Sequence, residues 1–142
     1  MPRFYLPANL WTTAVLGGEE SHHLSQVMRV KSGETITLFD GAGNEAPAMV
    51  LSSSKSQTHL RIGTVVSAPF PLPRITLAQA IPKGKNMDWI IQKAVELGVR
   101  RIQPLVTRHT IVQPGGDKAE KWRRTALEAC KQCGQNFLPE IA

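Results

Sequence analysis

Apolar and polar residues alternate along residues 34–39, where Thr35, Ile36 and Thr37 are β-branched, and that period of two is the mark of a half-buried strand. Asp40-Gly41-Ala42-Gly43-Asn44 follows, and its glycines and asparagine accept the positive φ that a tight reversal needs. Further strands are expected at residues 45–51 and 58–66, with residues 52–57 turning between them, and a short one at residues 3–6. Residues 19–28 read as the one helix of this half, with Glu19 and Glu20 suited to its positive amino-terminal end. Several short strands with a single helix predict a small barrel.

The period changes in the second half. Residues 75–81 (ITLAQAI) form an apolar run broken only by Thr76 and Gln79, which predicts a strand covered on both faces. A helix over residues 87–97 would put Met87, Ile90, Ile91, Ala94 and Leu97 on one face, and Gly98 would stop it. Residues 102–106 predict a second buried strand, with Pro104 marking an edge or a bulge. After a loop at Pro114-Gly115-Gly116, Asp117 is suited to cap a last helix, with Glu120 three residues on. That helix would stack Ala119, Trp122, Ala126, Ala129, Cys130 and Cys133 in one stripe and end at Gly134. Strand–helix–strand–helix implies a parallel sheet. A sheet of only two strands leaves an edge and much apolar surface uncovered, so a continuation of the chain, or a second copy of it, is expected to cover it.

Between the halves lies Ala68-Pro69-Phe70-Pro71-Leu72-Pro73, whose alternating prolines fit neither a helix nor a central strand. The expected organisation is therefore a β-rich domain at 1–68, a linker at 69–73 and an α/β domain at 74–142: an α+β chain of two domains. Charge divides along the same line. Residues 1–68 carry five basic and five acidic groups, whereas residues 69–142 carry twelve basic against six acidic, so the whole net charge of +6 lies in the second half. A localised basic excess favours a polyanionic partner. No apolar run approaches the roughly 20 residues that span a bilayer, and the first residues lack the apolar core of a signal peptide. These features predict no membrane contact and a cytoplasmic protein, in which Cys130 and Cys133 are expected as buried free thiols within a helix rather than as a zinc or redox pair.

Several segments together resemble the RsmE family of 16S ribosomal RNA uridine N3-methyltransferases. They are Pro2-Arg3-Phe4-Tyr5, His22-His23-Leu24-Ser25-Gln26-Val27-Met28-Arg29-Val30, Leu38-Phe39-Asp40-Gly41 and Pro82-Lys83-Gly84-Lys85-Asn86-Met87-Asp88. Ile91-Gln92-Lys93-Ala94-Val95-Glu96-Leu97-Gly98-Val99, Glu128-Ala129-Cys130-Lys131-Gln132-Cys133-Gly134 and Pro139-Glu140-Ile141 complete the likeness. The resemblance implies a PUA-like β-barrel for RNA, then the first half of a SPOUT-type α/β domain whose trefoil knot holds S-adenosylmethionine. It also implies a homodimer formed through that second domain, and a 16S ribosomal RNA or small-subunit substrate. The knot belongs to later strands and glycine-rich loops of such a domain. The chain is accordingly expected to be an amino-terminal fragment that contributes no cofactor-binding residues and does not bind S-adenosylmethionine alone. Gln135 and Phe137 stand where the family pattern has a basic residue, so that contact is assigned to neither.

Methylation at uridine N3 requires an exposed base and a clamped strand. Candidate phosphate contacts are Arg3, Arg29 and Lys31 in the first domain, against the plainer reading of solvated charges. In the second they are Lys83, Lys85 and Lys93, around a loop where Gly84 lets the backbone approach a ligand, and Arg108 after the second strand. The loop is not a P-loop, because the GxxxxGK[ST] spacing is missing. Glu128 and Gln132, four residues apart, share a helix face that the resemblance brings to the cleft as polar support; the plainer reading is a surface pair. His22 and His23 point about 100° apart on a helix, so no metal site is expected, and one should pack while the other faces outward. His109 reads as a surface residue. Trp89 falls off the main apolar face of its helix, whereas Trp122, Met87 and Ile90 read as core or interface. Two alternatives to an enzyme remain: a non-catalytic RNA-binding module lacking the cofactor knot, and a small nucleotide-binding protein, which the missing glycine fingerprint disfavours.

Overall fold

The computed structural model describes residues 1–70, 72–110 and 116–142, which fall into two units, Met1–Pro69 and Phe70–Ala142. Pro71 of the proline stretch, and Pro114 and Gly115 of the expected loop, lie outside the described residues.

The first unit runs β1 (Arg3–Tyr5), a 3-10 turn (Ala8–Leu10), β2 (Val15–Gly17), α1 (Gly18–His22) with a wide turn (His23–Val27), then β3 (Thr35–Phe39), β4 (Asn44–Ser53), β5 (Gln57–Ile62) and β6 (Val66–Ser67). One curled sheet orders these strands β1-β3-β4-β5-β2, with β6 pairing β4 at its start. β1 lies parallel to β3 and the other pairs are antiparallel. Alternation sends Ile36 and Leu38 of β3, Ala46, Ala48 and Val50 of β4, and Thr58 and Leu60 of β5 inward. Phe4, Leu6, Leu16 and Leu24 close over them. Asp40 holds the turn after β3: its carboxylate accepts from the backbone N–H of Ala42 (2.8 Å) and Asn44 (3.1 Å) and from the Asn44 amide, while Gly41 and Gly43 take positive φ.

Four details depart from the sequence expectations. The single helix at residues 19–28 is α-helical only to His22 and then widens, with Met28 N–H donating to His23 O at 2.9 Å. Arg29 in the left-handed region (φ 52°) turns the chain, and Val30 N–H reaches Leu24 O at 3.0 Å, so both apolar side chains stay in the core. Glu20 does more than face the helix start; its carboxylate accepts the Tyr5 N–H at 2.8 Å, on an edge strand. The stretch 58–66 divides into β5, which ends at Ile62, and β6, which begins at Val66; Gly63, passing close to Pro47, still donates its N–H to that carbonyl at 2.8 Å. β2 was not foreseen, having three residues and one buried side chain, too few to show a period.

The second unit runs β7 (Thr76–Ala80), α2 (Asn86–Glu96), β8 (Arg101–Leu105), α3 (Gly116–Cys133) and β9 (Glu140–Ile141). The expectation of a two-stranded sheet is corrected: among the described residues the sheet has three parallel strands, ordered β7-β8-β9. Two residues suffice for β9, since Glu140 N–H donates to Arg100 O at 3.0 Å and Ala142 N–H to Ile102 O at 3.1 Å. The same pairing explains Pro104, which sits in the middle strand. Even-numbered residues of β8 turn their backbone groups toward β9, and Pro104 lies past the last β9 partner, where no donor is needed.

α2 and α3 pack against each other. Met87, Ile91, Ala94 and Val95 of α2, Trp122, Ala126, Ala129 and Cys130 of α3, and Ile102 and Ile141 of the sheet are all buried. Thr76 and Ala78 are exposed, so β7 is not covered on both faces among the described residues. Val95 (1% exposed) takes the core position expected of Leu97, which is 82% exposed where Gly98 (φ 82°) ends the helix. Cys133, expected in the core stripe, is exposed in the last turn of α3, while Cys130 is buried. Asp117 lies in the first turn of α3 rather than capping it.

Two measurements follow from this packing. Ile91→Ala should lower unfolding stability by about 2–5 kcal/mol in urea titration, whereas Leu97→Ala should change it by less than about 0.5 kcal/mol. Burial, then the negative charge of Asp40, raises the Tyr5 phenol above its ordinary 10.0. The fold favours the neutral phenol and the unfolded chain ionises first, so this contribution is whole below pH 10.0 and is lost as pH rises through the folded value. Stability followed above pH 10.0 should therefore fall less steeply in Tyr5→Phe than in the wild type.

Candidate functional site

β7 delivers the chain to the loop Pro82-Lys83-Gly84-Lys85, which turns into α2 with Gly84 at φ 73° and no atom within 4 Å of where its Cβ would stand. A side chain there would be strained by the backbone, not by crowding. Asn86 donates to Lys83 O at 3.4 Å and holds the loop in place. Opposite stands the start of α3. Together they enclose a cleft of about 80 Å³ lined by Ile81, Pro82, Gly84, Lys85, Met87, Asp88, Lys118, Lys121 and Trp122. Ile81, Met87 and Trp122 form its buried floor. Asp88 sits at the rim, and the Thr125 hydroxyl donates to it at 3.5 Å.

Among the candidates from the sequence, Lys85 faces this cleft, and Lys83 is exposed on the same loop. Lys93 lies farther along α2 in an exposed pair with Glu96 (3.2 Å). Arg108 is exposed in a turn closed by Thr110 N–H on Thr107 O (3.0 Å). Glu128 and Gln132 do share a face: they line a separate groove of about 290 Å³ with Gln92, Glu96, Lys121, Arg124, Thr125 and Ala129, and Glu128 pairs with Lys131 at 3.5 Å. A third groove, about 520 Å³, lies toward the amino-terminal ends of the strands, between Arg100, Arg123 and the 138–141 segment.

In the first unit the three basic candidates differ in kind. Arg3 is mostly covered; it bonds Glu45 at 3.0 Å and lies 4.6 Å over the Phe39 ring. Its guanidinium therefore ties β1 to the β3–β4 hairpin. Arg29 is exposed and held in the left-handed region, a conformation that costs a non-glycine residue about 1–2 kcal/mol. Lys31 is exposed, and its N–H donates to the Glu34 carboxylate at 3.2 Å. Of the histidines, His23 packs edge-on to Phe4 at 5.8 Å and His22 is exposed, as their angular separation predicted.

Sequence reasoning missed Lys118 and Lys121. Their signal was present: they stand three residues apart, and on a helix that places both on one side. Only the fold shows that this side meets the loop after β7. Trp89, 62% exposed, lies off the buried face of α2 as its position suggested.

Known proteins can now be set beside this geometry. A family model described as an RNA methyltransferase domain matches residues 68–142, and one described as an RNA methyltransferase PUA domain matches residues 16–63. The ribosomal RNA small subunit methyltransferase E of a Synechocystis strain is 33% identical, over 92% of this chain and 43% of that protein. That of Bacillus subtilis is 32% identical, over 91% and 52%. The crystal structure of the corresponding protein from Neisseria gonorrhoeae, bound to S-adenosyl methionine, superposes with a TM-score of 0.89 at 36% identity, covering 100% of this chain and 60% of that one. The chain thus spans about half the length of the curated relatives it matches. The first unit has the PUA-like fold and the second the strand order of a SPOUT-type half-domain. With a family model matched in each unit and the alignment extending over the whole chain, this chain belongs to the RsmE family of ribosomal RNA small subunit methyltransferases.

Proposed function

We propose that the chain is the RNA-holding part of an enzyme that methylates N3 of a uridine in 16S ribosomal RNA with S-adenosylmethionine as donor. The observation that carries this reading is the alignment of the whole chain, at 36% identity, with a methyltransferase bound to that donor. The chemistry of the described surface agrees with it. Part of the basic excess of the second unit, Lys83, Lys85, Lys118 and Lys121, lies at the carboxyl end of β7, where α/β sheets hold ligands, and on the neighbouring face of α3. Lys83, Lys85 and Arg108 supply phosphate contacts there, and Arg29 and Lys31 supply them from the first unit. Lys93 adds charge along α2. Arg3 acts chiefly by holding β1 in place. Glu128 and Gln132 offer acceptor and donor groups to a base edge. The working enzyme is a homodimer through the second unit, acting in the cytoplasm on the small ribosomal subunit.

The three grooves described above do not fit the donor itself. An adenosyl group needs a largely apolar slot, commonly about 300–1,000 Å³, and a sulfonium is repelled by cations. The cleft at Lys85 is about 80 Å³ and ringed by lysines. Of the two larger grooves, one is lined mainly by charged and polar side chains and the other sets Arg100 and Arg123 beside Leu138, Pro139 and Ile141, so each presents an arginine to a cationic ligand. The donor is therefore assigned to residues other than these, and the grip on RNA to this chain. No helix among the described residues is long and apolar enough to cross a membrane.

Calorimetric titration of the 142-residue chain with S-adenosylmethionine should give no binding heat, and micromolar affinity would overturn this division of labour. In the longer enzyme, mass spectrometry of small-subunit RNA should find one N3-methyluridine that is lost on gene deletion. Lys83→Gln and Lys85→Gln should each raise KM for RNA roughly tenfold with little change in kcat, as removal of a charge-assisted hydrogen bond of about 1.4 kcal/mol would. Methylation at another uridine atom would refute the N3 assignment.

A further inference from the structure

Three ammonium groups from two distant stretches of sequence, Lys85 before α2 and Lys118 and Lys121 on α3, line one small cleft. Some other cations of the chain do have carboxylate partners: Arg3 has Glu45, Lys93 has Glu96 and Lys131 has Glu128. Among the described residues no carboxylate lies within ion-pair distance of Lys85, Lys118 or Lys121. Among the described residues Asp88 is the one acidic group lining the cleft, and the Thr125 hydroxyl donates to it. Like charges brought together by the fold oppose it unless an anion joins them.

We infer that Lys85, Lys118 and Lys121 form a single phosphate-binding cleft, in which a phosphodiester of the RNA strand is held by both the β7–α2 loop and α3. The inference rests on the functional reading above for the source of the phosphate, and adds two residues and a location to it. Size supports it: about 80 Å³ admits a phosphate group and excludes a nucleobase with its sugar. So does the floor, since Ile81, Met87 and Trp122 are buried and fix the positions from which the lysines reach. Bridging is the distinctive consequence. A strand seated here is gripped by side chains 33 residues apart (Lys85 and Lys118), so removing the α3 lysines should weaken binding even with the loop intact.

The test compares the wild-type chain, Lys118→Gln/Lys121→Gln and, as a control, Lys55→Gln, an exposed lysine of the first unit. Each is titrated with a single-stranded RNA oligonucleotide at several salt concentrations. The double variant should bind at least tenfold more weakly near 0.1 M salt, with a salt slope smaller by about 0.7 for each phosphate that is no longer neutralised. The control should match the wild type. Separately, inorganic phosphate titrated into the isotopically labelled wild type should give saturable amide shifts at residues 84–86 and 118–122, a readout that needs no variant to fold. A double variant that keeps the wild-type affinity and slope overturns the cleft while leaving the RNA reading standing. Saturation by phosphate without RNA binding supports the cleft with free phosphate as its source and overturns the RNA reading. Phosphate shifts absent from both segments sink the inference.

Discussion

Burial of one stripe of α2 against one stripe of α3, over a parallel sheet, is the constraint from which the chemistry of the second unit follows. Ile91 and Val95 on one helix and Trp122, Ala126 and Cys130 on the other are almost wholly removed from water. At about 25 cal/mol per Å² of apolar area, burying each large side chain contributes roughly 1.5–3 kcal/mol. Nothing in the charged surface approaches that total, so the apolar stripes decide where the charges go. Once they meet, the start of α3 must stand beside the loop that leaves β7. Lysines that are remote in sequence then share a cleft.

The first unit solves a different problem with the same means. Its charges balance, and the structure uses them to secure edges rather than to build a field. Glu20 takes the Tyr5 N–H, Arg3 joins Glu45 across Phe39, and Asp40 gathers three donors in the turn before β4. Ser21, wholly buried on α1, bonds Thr58 of β5 at 2.7 Å and Ser54 O at 2.8 Å, tying the short helix to the sheet. Two of the unit's exposed cations, Arg29 and Lys31, sit where the chain leaves the helix, one of them in a left-handed conformation that core packing of Leu24 and Val30 enforces.

Much of this was legible in the residues. The alternation through Ile36 and Leu38, the Asp40–Asn44 turn, the apolar run of β7 and the glycine stops at Gly98 and Gly134 each rest on local physics, and each has its counterpart in the fold. What stayed hidden was set by tertiary packing. β2 and β9 are too short to carry a period and exist because a neighbouring strand offers them hydrogen bonds. Leu97 and Cys133 continue their stripes on paper, yet both stand in solvent at the ends of their helices. The site followed the same rule. Lys83 and Lys85 announce themselves beside a glycine, whereas Lys118 and Lys121 gain meaning only from what α3 packs against.

The central claim is that RNA is gripped where the β7–α2 loop meets α3. Initial rates of lysine acetylation, measured residue by residue with and without small-subunit RNA, examine that claim without any amino-acid substitution. The account predicts strong protection at Lys85, Lys118 and Lys121 and none at Lys55. Protection spread evenly over the lysines, or confined to Lys55 and Lys31 in the first unit, would contradict it.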